Sequence, residues 1–435
     1  MSDLAIGGTG IVALLVLLAV RMPVGIAMCV VGFTGIAILG GWSAALLRLG
    51  STPFEHSYNF QLSVLPLFVL MGHFAMVSGL SRDAYVAAHA WIGHWRGGLA
   101  SATILACSGF AAVSGSSVAS AATMGAVTLP EMRKYGYDPR LATGCVAAGG
   151  TLGILIPPST GFIIYALLTE QSVGRLFMAG VVPGLILTAL FILTIYVLTR
   201  LDAKLGPAAP RVAVAERWRA LRGAAALAAV VALVIGGIYL GVFTPTEAAS
   251  VGALLTVLVA LARGRLTRTT FIEAMLETAR TTAFIFLILI GAFFFGPFLA
   301  LSGVPQLLSA GIESIDAAPI FVLAAILVLY IFLGMFLEGF AMIVLTLPIV
   351  FPVIVHLGYD PIWFGVIMVI VIEMGLISPP VGVNVYVVKG IAGDVPMRDV
   401  FAGIMPFWIA LIVCLAIVVA FPGLSLTLPN AMYGR

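Results

Sequence analysis

The stretch that decides the fold is LISPPVGVN at residues 376–384, inside one of the most apolar regions of the chain. Its adjacent prolines, Pro379 and Pro380, cannot continue an α-helix, because each lacks a backbone donor and clashes with the preceding turn. In a bilayer the freed carbonyl groups need partners, so broken backbone persists only inside protein or beside a watery cavity. A single Pro-Pro pair is equally consistent with a kink in a packing helix. A second Pro-Pro pair in an apolar stretch occurs, however, in ILIPPSTG at residues 154–161.

The composition is that of a polytopic membrane protein. Hydrophobic residues make up 62% of the 435-residue chain and charged residues only 9%, whereas soluble domains carry about 25% charged residues. The N-terminal sequence lacks the basic region of a cleaved signal peptide, so we interpret residues 6–20 as the first span. The four cysteines lie in apolar segments and form neither a disulfide framework nor a metal-type spacing.

Landmarks of the first half of the chain recur in the second half at a nearly constant offset. The two Pro-Pro pairs, at 157–158 and 379–380, lie 222 positions apart, and so do two copies of the sequence GYDP, at 136–139 and 358–361. Gly153 and Gly375 have the same separation. These matches indicate one fold unit that is used twice.

The placement of lysine and arginine predicts the orientation of the spans. With the N-terminus outside and each hairpin entering and leaving on one face, 18 of the 21 basic residues lie inside. Only Arg48, Arg175 and Arg435 remain outside. With this membrane topology the first hairpin opens from the cytoplasm and the second from the outside. The two repeats are therefore inverted in the membrane.

We therefore predict an all-α polytopic membrane protein with two inverted repeats, each with a re-entrant helical hairpin and a broken transmembrane helix. The first repeat covers 1–199, with its hairpin at 97–128 and its broken span at 140–169. The second covers 223–435, with its hairpin at 318–352 and its broken span at 361–388. Residues 200–222 form a basic cytoplasmic linker, interpreted as a solvated loop without a partner. The other spans are predicted near 23–41, 62–79, 177–199, 223–243, 247–262, 282–300 and 402–420.

Inverted repeats with discontinuous helices are typical of secondary transporters, whose sites lie near the bilayer midplane. The first hairpin tip reads SGSS at 114–117, where glycine permits the reversal and hydroxyls can bind a cation or satisfy exposed backbone. Alternatively, these small residues only let helices approach closely. Unwound carbonyls in the broken span are hard oxygen ligands suited to Na+, while half-helix N-termini present positive dipole ends to an anion.

Two carboxylates lie in the apolar regions, where an acidic group at mid-membrane costs about 2.5–3.5 kcal/mol. Glu338 belongs to the second hairpin tip, LGMFLEG at 333–339. It either helps to hold a cation and shape the substrate cavity or caps the hairpin amides. Glu373 lies two residues before Gly375. It either has a polar role at the site or serves packing, paired with a hydroxyl or a scaffold cation.

Nothing in the sequence indicates an enzyme. The five histidines form no ligand pair at metal spacing, and no zinc-protease, hydrolase or nucleotide-binding motif occurs. Without a nucleotide-binding loop, we expect any transport to be driven by an ion gradient. No arginine lies in the predicted midplane elements.

Several motifs, modest singly but specific in this order, extend over nearly the whole chain. They are VLPLF at 64–68, SGLSR at 78–82, RGGLA at 96–100, the SGSS tip, residues 153–159, FTPTEAA at 243–249, and the region from LGMFLEG to ISPPVG. In these motifs the chain resembles the large membrane subunit of tripartite ATP-independent periplasmic (TRAP) transporters. It departs from the pattern at Val371, where many members carry Asn, whereas Asn384 matches.

The resemblance implies an elevator-type carrier of the bacterial inner membrane that imports an organic acid anion by sodium symport. It implies two partners, a small membrane subunit of four spans and a periplasmic substrate-binding protein, with no nucleic acid and no cofactor besides the coupling Na+. Sodium would lie between each hairpin tip and the following break. The implied sodium-binding residues are Ser114, Gly115, Ser116, Ser117, Gly153, Pro157, Ser159, Gly334, Glu338, Gly339, Gly375, Ser378 and Pro379. The implied substrate-binding residues are Ser116, Pro158, Thr160, Glu338, Pro380 and Asn384.

Two other classes of protein compete with this interpretation. A stand-alone sodium-coupled di- or tricarboxylate carrier of the same superfamily would need no binding protein. A structural or assembly membrane protein would explain the hydrophobicity, but not four paired discontinuities.

Overall fold

The computed structural model of the protein describes residues 2–58, 60–314 and 318–432, and the regular structure of these residues is helical. The predicted all-α polytopic fold is therefore confirmed. Arg435, which the charge count places outside, lies beyond the described residues. The inverted relation of the two halves and their boundaries stay predictions.

The helices before the first hairpin include the three predicted spans and two helices that were not predicted. The additional helices, α3 and α5, are shorter than a span and amphipathic; α3 carries Arg48 and Glu55 among its apolar residues. Polar residues of this kind keep a segment below the hydropathy of a span. The helices are α1 Asp3–Ala19, α2 Val24–Gly40, α3 Trp42–Ser57, α4 Val64–Ser78 and α5 Leu80–Ile92.

The first hairpin and the first broken span follow at the predicted positions. The second hairpin helix runs six residues beyond the predicted end at 128, because Pro130 does not stop it and Met132 still packs in the core. The broken span has its interruption at the Pro-Pro pair. The helices are α6 Gly98–Ser114, α7 Ser117–Lys134, α8 Pro139–Leu155 and α9 Thr160–Thr169.

All of the next four helices start earlier than predicted, α10 and α12 by a few residues and the other two by more. Helix α11 begins inside the segment assigned to the linker, and α13 begins 14 residues before the predicted start at 282. With 35 residues, α13 is about 52 Å long, so its charged first turns reach beyond a hydrocarbon core of about 30 Å. Those charges excluded the turns from the predicted span. The helices are α10 Val173–Leu201, α11 Val214–Tyr239, α12 Pro245–Ala262 and α13 Arg268–Ser302.

The last part of the chain contains the second hairpin and the second broken span. Helices α15 and α16 occupy the predicted hairpin segment and α17 and α18 the predicted broken span, each pair ending four residues beyond the predicted bound, at 356 and 392. Two short helices, α14 and α20, were not predicted. Helix α14 is amphipathic, and α20 has only ten residues, so neither has the pattern of a span. The helices are α14 Val304–Ser314, α15 Pro319–Gly334, α16 Gly339–His356, α17 Pro361–Leu376, α18 Val383–Ala392, α19 Met397–Ala420 and α20 Gly423–Met432.

Helix length gives only a partial division into spanning and shorter elements. Within the described residues, eight helical segments are long and apolar enough to cross a membrane, with α8 and α9 together forming one of them and α16 of the second hairpin another. Helices α1, α2, α6, α15, α17 and α18 are apolar but shorter. At 17 residues α6 spans about 25 Å, less than the hydrocarbon core. The short lengths of α6, α15, α17 and α18 fit re-entrant and broken elements, whereas α1 and α2 lie at the lower limit of a span.

Packing brings the hairpins and broken helices of both halves into one body. Helices α6 and α7 pack on α8, and α15 packs on α17. Contacts also cross between the halves, since α18 packs on α7 and α8, and α9 packs on α16. Helix α8 is buried along its whole length after its first turn. The four discontinuous elements therefore share one core.

The packing of α2 on α13 depends on small residues. A Cβ added to Gly32 would lie 2.6 Å from the carbonyl carbon of Phe294, and one added to Gly291 would lie 2.6 Å from the carbonyl oxygen of Gly25. In a membrane, where lipid is as apolar as leucine, such close backbone approach is a main source of helix association.

We expect Gly32→Ala to lower the stability of the folded protein by about 1–3 kcal/mol, because backbone atoms of α13 leave no space for the methyl group. The matched control is Gly8→Ala in α1, where the added Cβ meets no atom within 4 Å. The measurement is the thermal unfolding midpoint of each purified variant in detergent. Equal midpoints for the two variants would contradict close packing at Gly32.

Candidate functional site

The first hairpin tip is a two-residue reversal between α6 and α7. Gly115 ends α6 in the left-handed conformation, with φ of 59°, which favours glycine. Ser116 is the N-cap of α7, and its hydroxyl accepts a hydrogen bond from the backbone N–H of Ala119 at 3.3 Å. The tip thus satisfies part of its own backbone and leaves the N-terminus of α7 at the reversal.

The first helix break touches this tip directly. Ser159 is the N-cap of α9, and its hydroxyl accepts from the backbone N–H of Phe162 at 3.3 Å. The next residue, Thr160, donates its hydroxyl proton to the carbonyl oxygen of Gly115 at 2.7 Å. A Cβ on Gly115 would lie 3.2 Å from the carbonyl oxygen of Pro158. Two helices, α7 and α9, therefore begin at one place, with their N-termini close together.

Close backbone contact extends to the end of α8. A Cβ on Gly153 would lie 2.6 Å from the carbonyl oxygen of Ser116, so only glycine fits without movement. Pro157, Pro158 and Ser159 are buried in the same region, and the Pro157-Pro158 peptide bond is cis. The structure therefore brings together all the residues of the first tip and the first break that the sequence proposed.

The hydroxyls of the tip have protein partners. The Ser114 and Ser120 hydroxyl oxygens lie 2.6 Å apart and share a hydrogen bond. The Ser117 hydroxyl donates to Oε1 of Glu373 at 2.5 Å. Glu373 belongs to α17, so this bond joins the first hairpin to the broken helix of the other half.

Glu373 and Asn384 are buried polar groups with unused hydrogen-bonding atoms. Both side chains are 0% exposed. Within the described residues, Oε2 of Glu373 and both side-chain polar atoms of Asn384 have no hydrogen-bond partner. Buried polar atoms without partners carry a free-energy cost of about 1–3 kcal/mol each. Glu373 is thus paired with a hydroxyl, as one of its two predicted interpretations required. Its second carboxylate oxygen has no hydrogen-bond partner within the described residues.

The second hairpin tip is built differently from the first. Helix α15 ends at Gly334, and Glu338 is the N-cap of α16. Oε2 of Glu338 accepts from the backbone N–H groups of Phe340 and Ala341 at 3.1 and 3.2 Å. Capping of hairpin amides, one of the two predicted roles of Glu338, is therefore what the geometry shows. Its side chain lies on the surface, unlike the hydroxyls of the first tip.

The second helix break is more open than the first. Pro379 and Pro380 are exposed, and the peptide bond between them is cis. Gly382, with φ of 61°, begins α18. Ser378 is buried; its hydroxyl donates to the carbonyl oxygen of Met374 at 2.6 Å and accepts from Nε1 of Trp408 at 2.8 Å.

The second tip and the second break meet through glycines. A Cβ on Gly334 would lie 2.9 Å from Cα of Gly375, so the end of α15 contacts α17 just before the break. Gly339 is buried, and a Cβ there would lie 2.9 Å from the Ile372 side chain. The predicted second pair of elements is therefore in contact, but its prolines and Glu338 remain at the surface.

A small cavity lies beside the first tip. It has a volume of about 100 Å³ and brings Ser114, Ser116 and Thr160 against residues of the neighbouring spans. His73 of α4, Thr281 of α13 and Phe340 of α16 also line this cavity. The cavity has hydroxyl groups on the side of the tip, and its lining among the described residues includes no arginine.

The sequence analysis did not select His73 or Thr281 for the site. His73 was considered only as a metal ligand, although a histidine within an apolar span is itself a signal of function. Thr281 lies one residue before the predicted start of its span at 282. Trp408, which bonds Ser378, carried no signal because its contact joins residues 30 positions apart.

Comparison with known proteins gives one family and several relatives that match most of the chain. The family of tripartite ATP-independent periplasmic transporters, DctM component, matches residues 11–424. The C4-dicarboxylate TRAP transporter large permease protein DctM of Pseudomonas aeruginosa is 40% identical over 378 residues, which are 87% of this chain and 88% of that protein. The sialic acid TRAP transporter large permease protein SiaM of Vibrio cholerae is 33% identical over 423 residues, 96% of this chain and 97% of that protein.

A solved structure supports the fold independently. The Alcanivorax borkumensis YdaH transporter, described as having an unusual topology, superposes with a TM-score of 0.66. The match covers 92% of this chain and 98% of that chain at 17% identity, so it concerns the fold alone.

We expect Ser117→Ala to destabilise the protein by about 1–3 kcal/mol, because it removes the hydroxyl that bonds the buried Glu373 carboxyl group. In a Glu373→Met background the same Ser117→Ala change should lower the unfolding midpoint much less, since no buried carboxyl group then loses a partner. Thermal unfolding of the four proteins of this cycle in detergent measures the coupling. Strictly additive midpoint shifts would contradict a stabilising bond between the two halves.

Proposed function

The chain belongs to the DctM component family of tripartite ATP-independent periplasmic (TRAP) transporters, and from that premise we propose that it imports an organic acid anion by sodium symport. The family suggested by the sequence motifs is thereby confirmed. The chain is a large permease subunit and a multi-pass protein of the bacterial inner membrane. In our proposal it works with a four-span membrane subunit and a periplasmic binding protein, and it catalyses no reaction.

The observation that carries the proposal is the meeting of α7 and α9 at the first tip. Both helices present their N-termini beside the same cavity, with Ser116 and Ser159 as their N-caps. A helix N-terminus carries about half a positive charge, and its free N–H groups point at a bound anion. Two such ends, together with the Ser116 hydroxyl, which accepts from the N–H of Ala119 and can itself donate, support binding of a carboxylate without a cationic side chain.

We place sodium at the two junctions of a hairpin tip with a helix break. At the first junction, carbonyl groups and hydroxyls of residues 114–117 lie against residues 153–159, and these are oxygen donors of the kind that Na+ prefers. At the second, residues 334–339 lie against 375–380. Backbone freed by the two breaks supplies carbonyls that helices would otherwise use internally. Sodium entry contributes about 2.3 kcal/mol per charge per 100 mV of membrane potential.

We further propose that the binding protein determines most of the solute selectivity. The polar groups that face the cavity are hydroxyls and the His73 imidazole, which suit a carboxylate in general. Bidentate recognition by arginine, which fixes the geometry of a carboxylate, has no counterpart among the described residues that line the cavity. The relatives named for C4-dicarboxylates and for sialic acid favour an acid anion as the class of solute.

The proposal is tested by uptake into proteoliposomes that contain this chain and its small membrane subunit. Labelled C4-dicarboxylates and sialic acid would be supplied with and without the binding protein, under an inward gradient of Na+ or of K+. We expect uptake only with Na+ and the binding protein present. Uptake without the binding protein would favour the stand-alone carrier, and uptake that ignores Na+ would contradict symport.

We expect Ser116→Ala to raise the Na+ concentration for half-maximal uptake about fivefold, because loss of an N-cap serine loosens the tip by about 1 kcal/mol. The matched control is Ser2→Ala, since Ser2 caps α1 through a hydrogen bond of the same length, 3.3 Å, far from the cavity along the chain. Uptake rates over a range of Na+ concentrations give the half-maximal concentration for each variant and for the wild type. An unchanged Na+ dependence in Ser116→Ala would refute a sodium site at the first tip.

A further inference from the structure

An open groove lies between the α5–α6 connection and α10, away from the transport cavity. Its volume is about 740 Å³, and its walls include Trp95 and Arg96 on one side and Leu193, Tyr196 and Arg200 on the other. The connection that forms one wall is held in place, because the Gly97 N–H donates to the carbonyl oxygen of Gly206 at 2.8 Å. The shape of the groove is therefore set by a hydrogen-bonded backbone and not only by the conformations of side chains.

The side chains that α10 contributes to the groove change from apolar to aromatic to basic along the helix. Ala189 and Leu193 present an exposed apolar surface, Tyr196 follows one turn later, and Arg200 lies in the last turn. From Ala189 to Arg200 the helix rises about 16 Å. Apolar, aromatic and then basic side chains are the order that a membrane protein presents from the hydrocarbon core to the headgroups.

Two arginines, Arg96 and Arg200, line the groove, and Gly97, the neighbour of Arg96, packs beside Thr199 next to Arg200. Arg200 donates from Nε to the Tyr196 hydroxyl at 3.1 Å, and its guanidinium carbon lies 5.4 Å from the centre of the Tyr196 ring. The ion pairs of the described residues involve other arginines, so neither Arg96 nor Arg200 has a carboxylate partner within them. Asp202, the closest acidic residue in sequence to Arg200, accepts from the backbone N–H of Lys204. Among the described residues, the lining of the groove includes no carboxylate to balance these arginines.

We propose that this groove binds one anionic glycerophospholipid. Its phosphate lies between Arg96 and Arg200, its glycerol region beside Tyr196 and Trp95, and one acyl chain along Ala189 and Leu193. The predicted membrane topology places both arginines on the cytoplasmic side, where basic pockets between helices bind anionic headgroups. A protein segment would need apolar contacts along the whole groove, whereas the combination of one basic end and one apolar wall fits a lipid. The proposal does not depend on the identity of the transported solute.

Native mass spectrometry of the purified chain, delipidated and titrated with phosphatidylglycerol or phosphatidylethanolamine, tests this proposal. We expect one phosphatidylglycerol molecule to bind the wild type more tightly than phosphatidylethanolamine. The double variant Arg96→Gln/Arg200→Gln should bind phosphatidylglycerol about 30-fold more weakly, since each basic residue near a membrane surface contributes about fivefold. The matched control, Arg219→Gln/Arg222→Gln, removes two exposed arginines on the predicted cytoplasmic side and should retain wild-type binding.

Equal binding of the two lipids by the wild type would overturn the proposal, and this comparison needs no variant to fold. Equal loss of phosphatidylglycerol in the two double variants would also overturn it, because the effect would then be one of total charge. Displacement of the lipid by the small membrane subunit would assign the groove to a protein partner instead. Unfolding midpoints in detergent without lipid identify any variant whose binding loss reflects misfolding.

Discussion

The structure depends on one constraint, that a backbone group released by a broken helix inside a membrane must find a partner within the protein. At the first break that partner is supplied across the junction, since Thr160 donates to the Gly115 carbonyl oxygen. Serine side chains satisfy N–H groups at the starts of α7 and α9. At the second tip a carboxylate, that of Glu338, has the same role for α16. The polar atoms that stabilise the breaks are also those that a cation or an anion would meet.

Both junctions contain a Pro-Pro pair, but the surroundings of the two pairs differ. Pro157 and Pro158 are buried against the first tip, while Pro379 and Pro380 lie at the surface. The caps differ as well, since the first tip ends in a short serine and the second in the exposed carboxylate of Glu338. The halves are therefore similar in sequence and distinct in how deeply they bury their breaks.

Much of this arrangement could be predicted from the sequence, because its causes are local. Proline pairs fix the breaks, glycine fixes the reversal at Gly115, and hydropathy fixes most spans. Contacts between distant segments could not be predicted in this way. The bond from Ser117 to Glu373 joins residues 256 positions apart, and sequence reasoning gave Glu373 only a class of partner, a hydroxyl or a cation. The charged start of α13 was missed for a different reason, since a hydropathy criterion stops where a helix leaves the hydrocarbon core.

The contacts between the halves bear on how such a protein can move. The Ser117–Glu373 bond ties the first hairpin to α17, while α18 packs on α7 and α9 packs on α16. Displacing one hairpin alone would break the bond and leave a carboxyl group buried without a partner, which costs several kcal/mol for a charged group. Moving both hairpins and both broken helices together keeps the bond intact. The residues that face them across the cavity, His73 and Thr281, lie on other helices and are joined to the tip by no such bond in the described structure. Motion of the tied elements as one body relative to α4 and α13 keeps this bond intact, and it is the motion that the elevator mechanism implied by the sequence resemblance would require.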